Sequence, residues 1–372
     1  MNLDKIITIS TRIFKFLAID FNFDESGKIT WRKILPWINI FNLVAYSILC
    51  NTFFVLDEKI EMAKAIFGIS IGAYLMMIVV RYFVTYKNQN KIQIIKMKLN
   101  RNFTKQEIEM DNIKWYFDFF QLYTKMYSSM QSCSMFFFCF DPIQTYITKG
   151  ERILPFIVKF PFDATQMNFY PYIMVWLFFC HLIHILTVVA NEVLLYGIIT
   201  VLSIEFKLLR VEIEKLVEKK DENLKMQIKN IIKRHQELLA ISSNIEEIYS
   251  PSFFCNFILS SIVISFTAIR ASIAYDPVEL VFCLMFCSVT LILISLQCFF
   301  GQLLKQCSDE IAFAIFNCDW INFSSISSKR ILLMFLMRSQ KSSVLTALKF
   351  SEINLGQLTG VSNQRKIIKT IL

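Results

Sequence analysis

Apolar residues recur along the chain in runs long enough to cross a bilayer, separated by shorter charged stretches. A helix rising 1.5 Å per residue needs ~20 apolar residues to cross ~30 Å of hydrocarbon. Six runs reach that length, at 35–56, 63–84, 126–147, 170–199, 253–273 and 278–300. A weaker seventh lies near 346–372. Helix is the expected form inside lipid, where no water satisfies backbone N–H and C=O groups. Between the runs a helical rhythm persists. Over 203–244, Leu208, Val211, Ile213, Leu216, Ile228, Ile231, Ile232, Leu238 and Leu239 recur among dense charge, so the fourth helix should continue beyond the membrane. The stretch GQLLKQCSDEIAFAIFNCDW (301–320) follows the sixth run without a break and is amphipathic, with Leu303, Leu304, Ile311, Phe313, Ala314 and Phe316 interleaved by Lys305, Asp309 and Glu310. A third such segment is RILLMFLMRSQ (330–340). Three apolar-faced helices without lipid need each other or another subunit. The pattern predicts a helical domain close to the membrane, against the alternative of a solvated charged stem.

Composition agrees with burial in lipid. The chain is 55% hydrophobic and 19% charged, with 37 Phe against 8 Gly and 7 Pro, a balance outside that of soluble domains. Charge then sets orientation. With the amino terminus inside, the inner segments hold 28 Lys and Arg and the outer loops six, which predicts a cytoplasmic amino terminus and an extracellular carboxyl terminus. The net charge of +9 is mostly this topology signal, and no nucleic-acid partner is expected. Seven spans in that sense reverse the orientation of a G-protein-coupled receptor; Arg81-Tyr82 ends the second span with no acidic residue before it. The first residues lack a cleavable signal pattern, so the first span should do the targeting. Ten cysteines, mostly inside apolar runs, read as small buried side chains.

Chemistry-bearing motifs are sparse. No HExxH, GxSxG or glycine-rich phosphate loop occurs, so neither an enzyme nor a cofactor is expected. His181 and His184 have metal-like spacing, but the third histidine is remote and no carboxylate is near in sequence; a packed pair is the expectation. Glu192 lies toward the inner end of the fourth span, where its carboxylate should reach the interface; Asp141 should border an outer vestibule. Two sequons, at Asn102 and Asn322, fall on inner segments and should be unused.

The order of several motifs resembles the insect odorant receptor family. After the sixth span, Gly301, Ser308 and Trp320 stand at that family's spacing, followed by LMRSQKSSVLTALKF (336–350). LPFIVKFPFDATQMNFYPY (154–172) is similar to its proline-rich second outer loop. NEVLLYGIITVLSIEFKLLRVEI (191–213) resembles its acidic residue and cytosolic extension, and His235 its helix before the fifth span. The resemblance implies an all-α membrane protein of seven transmembrane helices. Residues 1–300 would hold six spans, the outer pocket and inner extensions; residues 301–372 would hold an anchor helix and a pore-lining half-helix. It implies a subunit of an odour-gated, non-selective cation channel, paired with an odorant co-receptor in a hetero-tetramer in the plasma membrane of a sensory dendrite. Gly301, Ser308 and Trp320 would then serve the subunit anchor, and Leu358, Val361, Arg365 and Ile368 the pore.

A pocket for small volatile apolar ligands should be apolar, aromatic and lightly polar. In the family it lies among the outer helix halves, which here offer Phe67, Ile71 and Tyr74 from the second span and Met174, Trp176 and Phe179 from the fourth, with Met135 and Phe138 from the middle of the third. Lipid contact or core packing is the competing expectation for each. Some features depart from the family. Ser342-Ser343 replace a proline, Leu348 replaces a glycine, and the ending carries Arg365, Lys366 and Lys369 at an outer cation mouth. A related gustatory-type receptor and a non-conducting structural subunit are the alternatives.

Overall fold

The structure, a computed structural model, describes residues 8–17, 19, 31–56, 62–103, 111–155, 160, 162–216, 221–273, 277–318, 320, 323 and 325–356. It is built from helices: α1 (Thr8–Phe16), α2 (Trp31–Leu56), α3 (Met62–Lys87), α4 (Gln89–Phe103), α5 (Asp111–Lys149), α6 (Tyr170–Glu214), α7 (Asp221–Ile273), α8 (Pro277–Asn317) and α9 (Ile326–Ser339). Two short strands, β1 (Thr346–Ala347) and β2 (Ser351–Glu352), follow. Each of the six long apolar runs lies in one helix. Helices α3, α6, α7 and α8 contain stretches long and apolar enough to cross a membrane, and α2 a shorter one at Ile34–Leu49.

Four helices outrun the bilayer. At 39, 45, 53 and 41 residues, α5 to α8 reach ~60–80 Å, about twice the hydrocarbon thickness or more. The surplus lies at one end. There α6 stops at Lys215, whose N–H bonds back to Val211, and α7 returns beside it. The expected continuation of the fourth and sixth runs is therefore observed, and α7 runs unbroken through Pro251 into the fifth span. Helix α9 opens on Ser325, whose hydroxyl accepts from the Ser328 N–H and so supplies a cap to an otherwise unserved donor.

Helix α6 is central. Between Thr187 and Phe206 every residue is buried, which fits its apolar sequence all round. It packs against α8, α5, α7, α3 and α2, and α1 lies along it. The α1 helix had no counterpart among the expected elements. Its Ser10 hydroxyl donates to the Ala190 carbonyl at 2.7 Å, and the Leu17 carbonyl accepts from the Tyr82 hydroxyl. These bonds, with Phe14 and Leu17 buried in the core, pin a helix that is amphipathic but too short to read as a span.

The expected seventh run begins differently. Residues 346–352 form a tight antiparallel hairpin, Thr346 opposite Glu352 and Ala347 opposite Ser351, docked on α7. A membrane helix cannot start at 346. Helical backbone resumes at Leu355 and Gly356, where the described residues end. The assigned pore residues Leu358, Val361, Arg365 and Ile368 lie outside the described residues, as does the sequon at Asn322.

Candidate ligand site and assembly surface

Toward one end of α2, α3, α5 and α6 lies a separate apolar cluster. Tyr46, Ile71, Leu75, Phe138, Ala164, Ile173, Leu177 and Cys180 form it, with Trp176 and Phe160 packed alongside. The loop between α5 and α6 covers it. Gly150, at φ +71°, ends α5 with its N–H on the Tyr146 carbonyl, a left-handed stop that glycine adopts without strain. The Tyr170 hydroxyl then donates to the Ile153 carbonyl, and Asp163 accepts from the Thr165 N–H and hydroxyl. Those Thr165 bonds hold the Asp163 carboxyl below the usual range. The small Ala164 is thereby tucked into the cluster.

Next to the cluster, toward the middle of the helices, aromatic rings converge on two histidines. Phe138 stacks on His181 with centroids 4.4 Å apart. Tyr74 meets His184 and Phe286 edge-on, each at 5.6 Å. Gln131 donates to the Tyr127 hydroxyl at 3.3 Å and the Tyr74 hydroxyl at 3.5 Å. Of the pocket residues expected from sequence, Ile71, Tyr74, Phe138 and Trp176 come together here. Met135 packs against the main core. Met174 is half-buried on α6, while Phe179 is 54% exposed and leans on Phe178, away from the cluster. The Phe67 side chain lies outside the described residues, as do those of Asp141 and Asn102. Gln131, Tyr127, Phe286 and the histidines' place in the cluster were missed. Their signal was a few polar groups inside otherwise apolar helices.

Farther along these helices, at the midpoint of α6, the expected role of Glu192 is corrected. It is 1% exposed and does not reach an interface; it is ion-paired with Arg81 of α3. Beside it, Thr85 bonds to Asn191, which donates to the Thr187 carbonyl at 2.8 Å. Arg81, Asn191, Glu192, Leu195, Tyr249, Ser252 and Phe253 line a small cavity where α3, α6 and α7 meet. Stranding one member of a buried pair costs about 3–5 kcal/mol, so this joint is fixed once formed.

Beyond the joint the helical extensions are tied by charge. Arg234 reaches the fully buried Glu205 at 2.8 Å and Glu212 at 2.9 Å, joining α7 to α6. Burial raises the Glu205 carboxyl pKa, and Arg234 offsets part of that rise. Glu310 of α8 pairs with Lys207 and Arg210 of α6. Burial pushes its carboxyl up, but the two basic side chains outweigh this and hold it below the ordinary value.

The signature residues act within the chain at this end. A Cβ at Gly301 would sit 2.2 Å from the Ile353 carbonyl oxygen, so only glycine lets the segment after the hairpin lie on α8. The Ser308 hydroxyl accepts from the Ser343 N–H at 3.0 Å, and Ser343 bonds to Ser242 of α7. The Leu348 N–H donates to Ser250, and Thr346 to Glu246. Trp320 is half-buried against the core. Around them large apolar side chains remain uncovered: Phe313 and Phe316 on α8, Met334 and Met337 on α9, and Phe350, 82% exposed, on the hairpin.

Comparison with known proteins follows the same outline. A family model described as 7tm Odorant receptor matches residues 61–363. Odorant receptor 67c of Drosophila melanogaster is 27% identical over 210 residues, 55% of this chain and 51% of the relative, so the match spans about half of that relative's length. Odorant receptor 85c of the same species is 23% identical over 349 residues, 88% of this chain and 87% of the relative. The insect olfactory receptor OR5 from Machilis hrabei in complex with eugenol superposes with a TM-score of 0.77 at 14% identity, covering 97% of this chain and 96% of that one. A second structure of that receptor gives 0.79 at 14% identity, covering 99% and 98%. At such identity the likeness is one of fold.

Proposed function

This chain belongs to the insect odorant receptor family, and from that premise we propose that it is the tuned subunit of an odour-gated, non-selective cation channel completed by an odorant co-receptor. It is a multi-pass membrane protein and a receptor, not an enzyme. On this reading its amino terminus is cytoplasmic, its carboxyl terminus extracellular, and it works in the plasma membrane of a sensory dendrite. Residues 1–300 supply the outer ligand pocket and residues 301–372 the anchor and the pore half-helix, lined by Leu358, Val361, Arg365 and Ile368.

The observation that carries the reading is the contrast between the two ends of the helices. One end holds a closed aromatic cluster with few polar groups, suited to a small volatile. The other holds ion-paired helices whose Phe313, Phe316, Met334 and Met337 are uncovered, an apolar surface of the kind that marks subunit contact. Gly301 and Ser308 serve that contact by seating the hairpin against α8, and Trp320 by packing against the core beside it. A volatile that binds the open arrangement better than the closed one shifts the population toward conduction.

Co-expression with an odorant co-receptor in oocytes tests this. Volatiles from a broad panel should evoke a cation current that neither subunit gives alone with the same ligand. A pair shown to be at the cell surface, yet silent to the whole panel, would overturn the proposal.

A further inference from the structure

Beside the apolar cluster lies a buried imidazole that no described residue serves with a hydrogen bond. His184 lies 14 positions into α6, ~21 Å along the helix and so near mid-bilayer depth. It is 3% exposed. Its ring lies against Tyr74 and, at 5.4 Å, against His181. Neither of its ring nitrogens has a hydrogen-bond partner among the described residues. By contrast the neighbouring Gln131 amide is spent on Tyr127 and Tyr74. Buried polar groups in native proteins are nearly always bonded, and a bare one in apolar surroundings calls for a partner from outside the chain. A metal ion is a poor candidate, since no group of three His, Cys, Asp or Glu side chains gathers among the described residues. A neutral imidazole offers one N–H donor and one acceptor nitrogen pointing apart, and a hydroxyl can meet either one, accepting from the first or donating to the second.

We propose that His184 is the hydrogen-bonding contact for the ligand, and that it selects small volatiles carrying one hydroxyl, alcohols or phenols, over hydrocarbons of the same shape. This rests on the reading of the outer cluster as the odour site. A polar site that must bond a hydroxyl discriminates strongly against an analogue lacking it, because its own polar group is then left bare. Tyr74, edge-on to the imidazole and carrying its own hydroxyl, stands on the same wall.

Matched pairs test the inference in the full chain co-expressed with co-receptor: phenol against toluene, and 1-hexanol against heptane. The hydroxylated member should be at least about tenfold more potent. His184→Phe, which keeps a ring, should shrink that ratio to about threefold or less. His184→Gln, which keeps donor and acceptor, should preserve it. Surface labelling of each variant separates lost selectivity from lost folding. Equal potency within pairs in the wild type, or an unchanged ratio in His184→Phe, would overturn the inference while leaving the receptor reading intact; either result would mean that the imidazole is served by water alone. Silence of the wild-type pair to every probe would count against the receptor reading and this inference together.

Discussion

His235 shows how much one side chain can reveal at a helix junction. It belongs to α7 but lies edge-on to Phe206 of α6 and Phe335 of α9. Burial there lowers its pKa to about 4, with the Arg338 charge adding to the effect. In the unfolded chain the imidazole titrates near 6.5. Above that pH neither state binds the proton. Below it the unfolded chain does and the folded chain does not, so stability falls as pH falls, until about pH 4. Between pH 7 and pH 5 the loss should be about 2 kcal/mol. The melting temperature of the purified protein should drop over that interval, and His235→Phe should remove most of this histidine's share. An equal drop in the variant would show that His235 is not the group responsible. At this scale the sequence was only partly legible. Glu192 could be seen as an unusual residue in an apolar run, but Arg81 sits on another helix, and no local pattern announces a partner that only packing supplies. The histidine pair was visible too, as a packed pair, without the rings that surround it.

Among elements, the helices were legible and the hairpin was not. Long apolar runs dictate helix because lipid leaves the backbone no other partner, and the helical extensions beyond the spans kept the 3.6-residue rhythm. The LTALKF segment has strands of two residues, too short for any period. Its departure from the family now has a location. Leu348 sits at φ +49° and Lys349 at φ +63°, left-handed conformations that disfavour side chains with a Cβ. Leu348→Gly should therefore stabilise the protein by about 0.5–1 kcal/mol, since its exposed side chain gives up little burial. Gly301→Ala should do the opposite. Its methyl would meet the Ile353 backbone carbonyl, which must move, at a cost of about 1–3 kcal/mol. Thermal melts of the two variants, read beside wild type, check both signs. A Gly301→Ala protein as stable as its parent would mean that the hairpin does not rest on α8 as described.

For the whole molecule, the helical architecture came through because hydropathy acts over the entire chain. The pocket came through less well. Periodicity nominates a helix face, but helix tilt decides which faces meet; Ile71, Phe138 and Trp176 gathered in the apolar cluster and Tyr74 beside it against His184, while Phe179 turned outward. Everything proposed about function depends on which end faces the cytosol. The aromatic cluster must face the exterior to meet odour, and the uncovered Phe and Met side chains must lie beneath the membrane to meet other subunits. Cysteines introduced one at a time at two exposed positions, Gln166 beside the cluster and Gln236 on the extension of α7, measure this directly with a membrane-impermeant maleimide, as labelling above that of the ten native cysteines. The account predicts labelling of Gln166→Cys in intact cells and of Gln236→Cys only after permeabilisation; the reverse pattern would contradict it.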